Sequence, residues 1–318
     1  MPLGQALKQL YDQTGVRVVD RRSSSNVQPQ LKLDLEDVSF WEAIDAIAQH
    51  TKSHVSVYEK DNVVALRDGL EPGVPLWYSG RFRVAVKRID ASQNFETQTR
   101  SCVIRLELAW EPTVQPLFVD NRPGDIKIFD DKGGVIGSSD SSGRDPLVGR
   151  NAVEIPVRFP APPRSMDRLH RVQGPLRVVG PEQLLTFSFD HLSPAQPPPA
   201  QAEAGVTAAI HEFKEGDERW KISLLLKHPA GEPQFESFES WLSTTQAVLM
   251  RRDGKQELAP VGYEMAEQGE HQVLLTYYFS KQKGGAPRRP QDWKLVCRTP
   301  GRIGTMAVPF AFKDLPLP

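Results

Sequence analysis

Apolar residues at Leu3, Ala6, Leu7, Leu10 and Tyr11 recur at the spacing of one helical stripe, which predicts an amphipathic helix at the start of the chain. Gly15 follows as a residue able to take the left-handed conformation that closes such a helix. Val16-Arg17-Val18-Val19 then reads as a short strand. Leu31, Leu33 and Leu35 alternate with Lys32 and Asp34, the period-two pattern of a half-buried strand. Ser39-Phe40-Trp41-Glu42 is a capping box, in which Ser39 and Glu42 satisfy two free backbone donors, and the helix it opens runs on through Ala43, Ile44, Ile47 and Ala48. His54–Tyr58 and Asn62–Leu66 predict a hairpin around Lys60-Asp61. The two halves echo one another, Ala6-Leu7 with Ala43-Ile44, Leu10 with Ile47 and Thr14 with Thr51. Residues 1–70 are therefore expected to form a two-layer α/β module with both helices on one face of a small sheet.

Helical periodicity largely ends at Leu66, and Asp68–Pro75 is a turn-rich connector. Strands are predicted at Phe82–Ile89, Cys102–Trp110, Ile126–Phe129, Val153–Phe159, Leu176–Val179 and Leu184–Phe189, with a tight hairpin at Asp131-Lys132-Gly133-Gly134. Ser193–Ala202 holds consecutive prolines, which cannot join a sheet, and reads as a semi-rigid linker. Strand patterns resume at Val206–Phe213, Trp220–Lys227, Ala247–Arg251, Gln272–Phe279, Leu295–Arg298 and Ala307–Phe312. Each stretch carries a strand leading to a proline (Glu111-Pro112, His228-Pro229), a hairpin glycine (Gly133, Gly254) and a closing Phe-x-Phe strand (Phe187-Ser188-Phe189, Phe310-Ala311-Phe312). The expected fold class is α+β: the module at 1–70, a β-sandwich at 76–192, a linker at 193–204 and a duplicate sandwich at 205–318. The strand number and spacing suit immunoglobulin-like sandwiches.

Composition narrows the partners. The 39 basic and 40 acidic side chains nearly cancel, so nothing electrostatic favours nucleic acid or an anionic membrane surface. No run of eighteen apolar residues exists to span a bilayer. The helix that opens at Met1 has no capping residue ahead of it, which suggests that the natural chain extends upstream, where a signal peptide would lie. Cys102 and Cys297 sit far apart without metal spacing and are expected to be buried free thiols.

The run Ala6-Leu7-Lys8-Gln9-Leu10 with Gln13-Thr14-Gly15-Val16, followed by Leu31–Ile44 across a β-to-α junction, resembles the short N-terminal module shared by secretins and TonB-dependent receptors. The resemblance covers about the first seventy residues. It implies a periplasmic docking domain rather than an enzyme. The family pattern opens with a strand before the first helix, which this chain lacks.

The search for chemistry yields candidates without a convergent set. Asp120, Asp125, Asp130 and Asp131, near Gly124 and Gly133, make a calcium site conceivable, but their spacing is not that of an EF-hand loop. The Gly133–Gly143 segment lacks the Gly-Lys-Ser/Thr of a phosphate loop and reads as a mobile loop between strands. The seven histidines, His50, His54, His170, His191, His211, His228 and His271, have no zinc spacing, and no nucleophile elbow is present. Glu236 and Glu239 are a carboxylate pair that a capped turn explains equally well. Trp77, Trp110, Trp220, Trp241 and Trp293 are expected in cores. Phe235, Phe238 and Trp241 form the densest aromatic cluster and are the candidate surface for a partner or glycan.

The expectation is a non-catalytic interaction or structural protein, periplasmic or secreted, needing no cofactor or metal and binding a protein partner or further copies of itself. A carbohydrate-binding protein with an aromatic platform is the alternative, and a metal-dependent hydrolase the third reading.

Overall fold

A computed structural model describes residues 1–318 apart from 34, 60–62, 71–72, 123, 139–142, 148–149, 182, 229–244, 270, 282–288 and 302. The fold is β-rich: two α-helices and twenty-two strands stand among the described residues, in several mostly antiparallel sheets.

Both helices fall in the first fifty residues. α1 (Leu3–Thr14) buries Leu3, Leu7 and Leu10 and ends on Gly15, whose φ of 71° is the left-handed closure its sequence predicts. α2 (Phe40–His50) begins at the expected capping box: the Ser39 hydroxyl accepts from the Glu42 amide, and the Glu42 carboxylate accepts from the Ser39 amide at 2.8 Å. The same bonds hold the Glu42 carboxyl below its ordinary range. Three strands, β1 (Val18–Asp20), β2 (Ser53–Ser56) and β3 (Val64–Asp68), form a small sheet in the order β1-β3-β2, parallel on one side and antiparallel on the other. Leu31–Leu35 is not a strand. Among the described residues Pro2 bridges Gln30 and Met1 exchanges two backbone hydrogen bonds with Leu31, and no longer ladder forms.

The chain divides into two compact units, Met1–Gly180 with Thr305–Pro318, and Pro181–Gly304. In the first unit β4 (Leu76–Ser79), β5 (Phe82–Asn94), β6 (Thr99–Trp110) and β11 (Ala152–Pro160) make one sheet in the order β11-β6-β5-β4. The other contains β7 (Phe118–Asn121), β8 (Lys127–Phe129), β9 (Val135–Ser138), β10 (Gly143–Pro146), β12 (Arg168–Pro181) and β22 (Ile303–Pro316). Part of the glycine- and serine-rich segment is thus strand. Alternate residues of both sheets share one core, including Val84, Ile104, Leu106, Trp110, Ile155, Ile128, Val172 and Val178. Gly174 lets β12 cross close to the 125–126 backbone, because a Cβ there would collide with the Asp125 carbonyl oxygen.

The division does not fall at the proline-rich stretch. Leu184–Phe189, which the sequence groups with the first stretch, is β13 and pairs with β21 (Trp293–Pro300) inside the second unit. The Phe310-Ala311-Phe312 strand, expected to close the second sandwich, is part of β22, pairs with β12 and buries both rings in the first unit. Residues 193–204 lie within the second unit, and Gln201–Glu203 form strand β14, which turns through Ala204 and Gly205, both at positive φ, into β15 (Val206–Glu215). The second unit is therefore inserted between β12 and β22. Its two ends meet, the Gly301 amide donating to the Gln183 carbonyl, as an insertion requires.

The second unit pairs β13 and β21 with β17 (Gln246–Arg251) and β18 (Glu257–Leu258), and β14 and β15 with β16 (Arg219–Lys227), β20 (Gln272–Ser280) and β19 (Gly262–Gln268). His228, just past β16, is buried, and burial holds its imidazole down to about 4. The sign follows from that depression. The unfolded chain protonates near pH 6.5 while the folded one stays neutral, so stability present above pH 6.5 is lost as pH falls toward 4, by roughly 2–3 kcal/mol. Urea midpoints measured between about pH 7 and pH 4.5 are expected to show this fall, and His228→Gln is expected to flatten it.

Candidate docking groove on the N-terminal module

The amphipathic helices bury one stripe each, and the chain between them decides what happens at the seam. After β1 it runs back past the start of α1, where Met1 and Leu31 exchange two backbone hydrogen bonds at 2.8 Å and the Leu3 amide donates to the Pro29 carbonyl. It then crosses toward the Ser39 cap. An open groove of about 400 Å³ lies between α1, α2 and this crossing, with Leu10, Leu31, Phe40, Ala43 and Ile47 in its floor. Leu35 and Val38 on its edge are 38% and 41% exposed, and Met1 is 49% exposed. Gln9, Gln13 and Asp37 supply the polar rim. A groove of this size lined by aliphatic side chains recognises apolar groups by burial, with few polar contacts to fix orientation.

On its other side the module is anchored. Trp41 is fully buried, and its indole N–H donates to the Arg81 carbonyl at 3.0 Å. Ala109 and Ala152, on β6 and β11, join the module's own core. Arg83 of β5 reaches Asp45 of α2 at 2.8 Å and Glu107 of β6 at 3.3 Å, with all three side chains buried. The Tyr78 hydroxyl donates to Asp45 at 2.9 Å, and Tyr58 is hydrogen-bonded to Glu107. Burial, reinforced by the Asp45 carboxylate, pushes the Tyr78 phenol far above its ordinary range, so it stays a donor. Sequence inspection passes over this cluster, although an aspartate inside the apolar stripe of α2 and an arginine flanked by strand apolars are the signals that mark it.

The calcium candidates do not converge. Asp130 accepts hydrogen bonds from the Lys132 and Gly134 amides of its own turn, Asp125 is bound to Arg177 and Asp120 to Arg122. No group of three histidine, cysteine, aspartate or glutamate side chains that could hold a metal occurs among the described residues. Cys102 and Cys297 are both free and buried, and burial pushes the Cys297 thiol up to about 12. Trp110, Trp220 and Trp293 lie in cores, whereas Trp77 is 38% exposed. Phe235, Phe238 and Trp241, with Glu236 and Glu239, lie outside the described residues. No described helix is long and apolar enough to cross a membrane.

No protein-family model, curated protein or solved structure matches the chain.

Proposed function

We propose that this chain is a non-catalytic interaction protein acting outside the cytoplasm, whose N-terminal α/β module docks to a protein partner or to further copies while immunoglobulin-like β-sandwiches serve as spacers. The observation that carries the reading is the groove itself: an apolar, open recess on a module fixed at its opposite side by a buried ion cluster. Large exposed aliphatic residues around one recess mark interaction surfaces. The resemblance of the first seventy residues to the secretin and TonB-receptor module supports the same reading and supplies the extracytoplasmic location.

The test is the mass of the full chain by light scattering at several concentrations, beside a Leu35→Glu/Val38→Glu double variant. Both positions are exposed, so the substitutions leave the core intact. The wild-type mass is expected to rise with concentration and the variant's to stay that of a monomer. A rise of equal size in both would remove the groove from the account.

A further inference from the structure

Strand β19 ends the order β14-β15-β16-β20-β19 and pairs with β20 alone among the described residues, which leaves its other edge open. Its side chains sort into two faces. Tyr263 and Met265 stand opposite Tyr277 and Leu275, which are buried in the core, and so point to the same side of the sheet. The Tyr263 ring lies 6.0 Å from that of Tyr277 and carries the apolar side outward. Yet Tyr263 is 58% exposed and Met265 45%, and Val261, just before the strand, is 58% exposed. Glu264 stands opposite Thr276, on the other side. Unbroken alternation would set Glu267 beside Tyr263 and Met265. Instead the register shifts between Met265 and Glu267, so Ala266 is an extra residue and Glu267 falls opposite Leu274, on the side of Glu264. The same bulge breaks the period-two pattern, which is why the sequence names no strand here. Glu264 accepts from the Tyr278 hydroxyl at 2.6 Å, and no lysine or arginine among the described residues pairs with Glu264 or Glu267.

An open edge beside an exposed apolar stripe draws another strand. A second copy fits it poorly. Antiparallel self-pairing gathers four carboxylates, two from each copy, on one face of a single ladder, where like charges destabilise. We propose that β19 binds an extended segment of another protein, added as a strand, with apolar side chains against Tyr263 and Met265 and basic ones between them against Glu264 and Glu267. Main-chain hydrogen bonds along the edge hold such a segment, and its alternate side chains are what the two faces select. The paired charges speed the encounter and make it salt-dependent. This edge belongs to the second unit, so its binding is independent of the N-terminal groove.

The probe is the fluorescently labelled peptide Lys-Val-Lys-Val-Lys-Val-Lys, titrated into the full chain by anisotropy. It is expected to bind, more weakly at high salt, and to slow amide exchange across residues 262–267. Glu264→Lys/Glu267→Lys is expected to weaken it about tenfold or more and to admit Glu-Val-Glu-Val-Glu-Val-Glu in its place. Tyr263→Ser/Met265→Ser is expected to weaken both peptides. All four positions are exposed, so the unfolding midpoint of the second unit should not move with these substitutions. Equal affinity for Lys-Lys-Lys-Lys-Val-Val-Val would overturn the proposal, because attraction without alternation needs no strand. Absence of binding at millimolar concentration sinks it as well. So does a mass that still rises with concentration in Leu35→Glu/Val38→Glu and stays that of a monomer once Met265→Glu is added, which assigns the edge to a second copy.

Discussion

Ending the chain at Gly304 is expected to unfold the first unit and spare the second. The fourteen residues removed, Thr305–Pro318, carry most of β22, and with it Val308, Phe310, Phe312 and Leu315, each no more than 4% exposed. Burying an aliphatic or aromatic side chain stabilises by about 1.5–3 kcal/mol, so four together contribute roughly 6–12 kcal/mol. The total stability of a domain is about 5–15 kcal/mol, so the remainder of this core cannot stand without them. The second unit keeps every strand it pairs, from β13 to β21. Tryptophan fluorescence separates the two, because Trp41 and Trp110 are buried in the first unit and Trp220 and Trp293 in the second. The expected result is a partial red shift with one cooperative transition left. Two intact transitions in the truncated chain would show that β22 does not belong to the first core.

The same strand marks the limit of what the sequence makes legible. Local signals name elements well. Ser39 with Glu42 and Gly15 predict helix ends because each satisfies backbone groups a few residues away, and the period-two strands at Cys102–Trp110 and Trp220–Lys227 follow from which side chains must leave water. Periodicity states which face of a strand is buried and is silent on which sheet buries it. Phe187-Ser188-Phe189 and Phe310-Ala311-Phe312 carry the same pattern, and chain order alone assigns each to the wrong neighbours, because a right assignment needs the long-range pairing of β22 with β12. Leu31-Leu33-Leu35 fails differently. Its alternation is that of a strand, but periodicity does not supply the neighbour a strand needs, and the stretch is joined among the described residues by the Pro2–Gln30 bridge and the Met1–Leu31 hydrogen bonds alone.

Arg83→Met is the point substitution expected to cost most, about 3–5 kcal/mol of the first unit's stability. Arg83 is the only cation bonded to the Asp45 carboxylate among the described residues, and it is shared with Glu107. Removing it leaves two buried carboxylates with, among the described residues, the Tyr78 and Tyr58 hydroxyls as their side-chain donors. Because the unpaired charges and not the lost pair set the cost, Arg83→Met combined with Asp45→Asn and Glu107→Gln is expected to recover most of it. Arg83→Lys should recover little, since one ammonium cannot reproduce a guanidinium that bonds Asp45 through two of its nitrogens and Glu107 through the third. Urea unfolding at constant slope measures all three. The recovery also bears on the module's role. If the neutral triple variant is as stable as the wild type but α2 exchanges its amides faster, the charges serve to fix the angle of the module, and with it the direction in which the groove faces, rather than to hold the fold together. If exchange is unchanged, Trp41 and the Ala109–Ala152 contact suffice to hold the module in place.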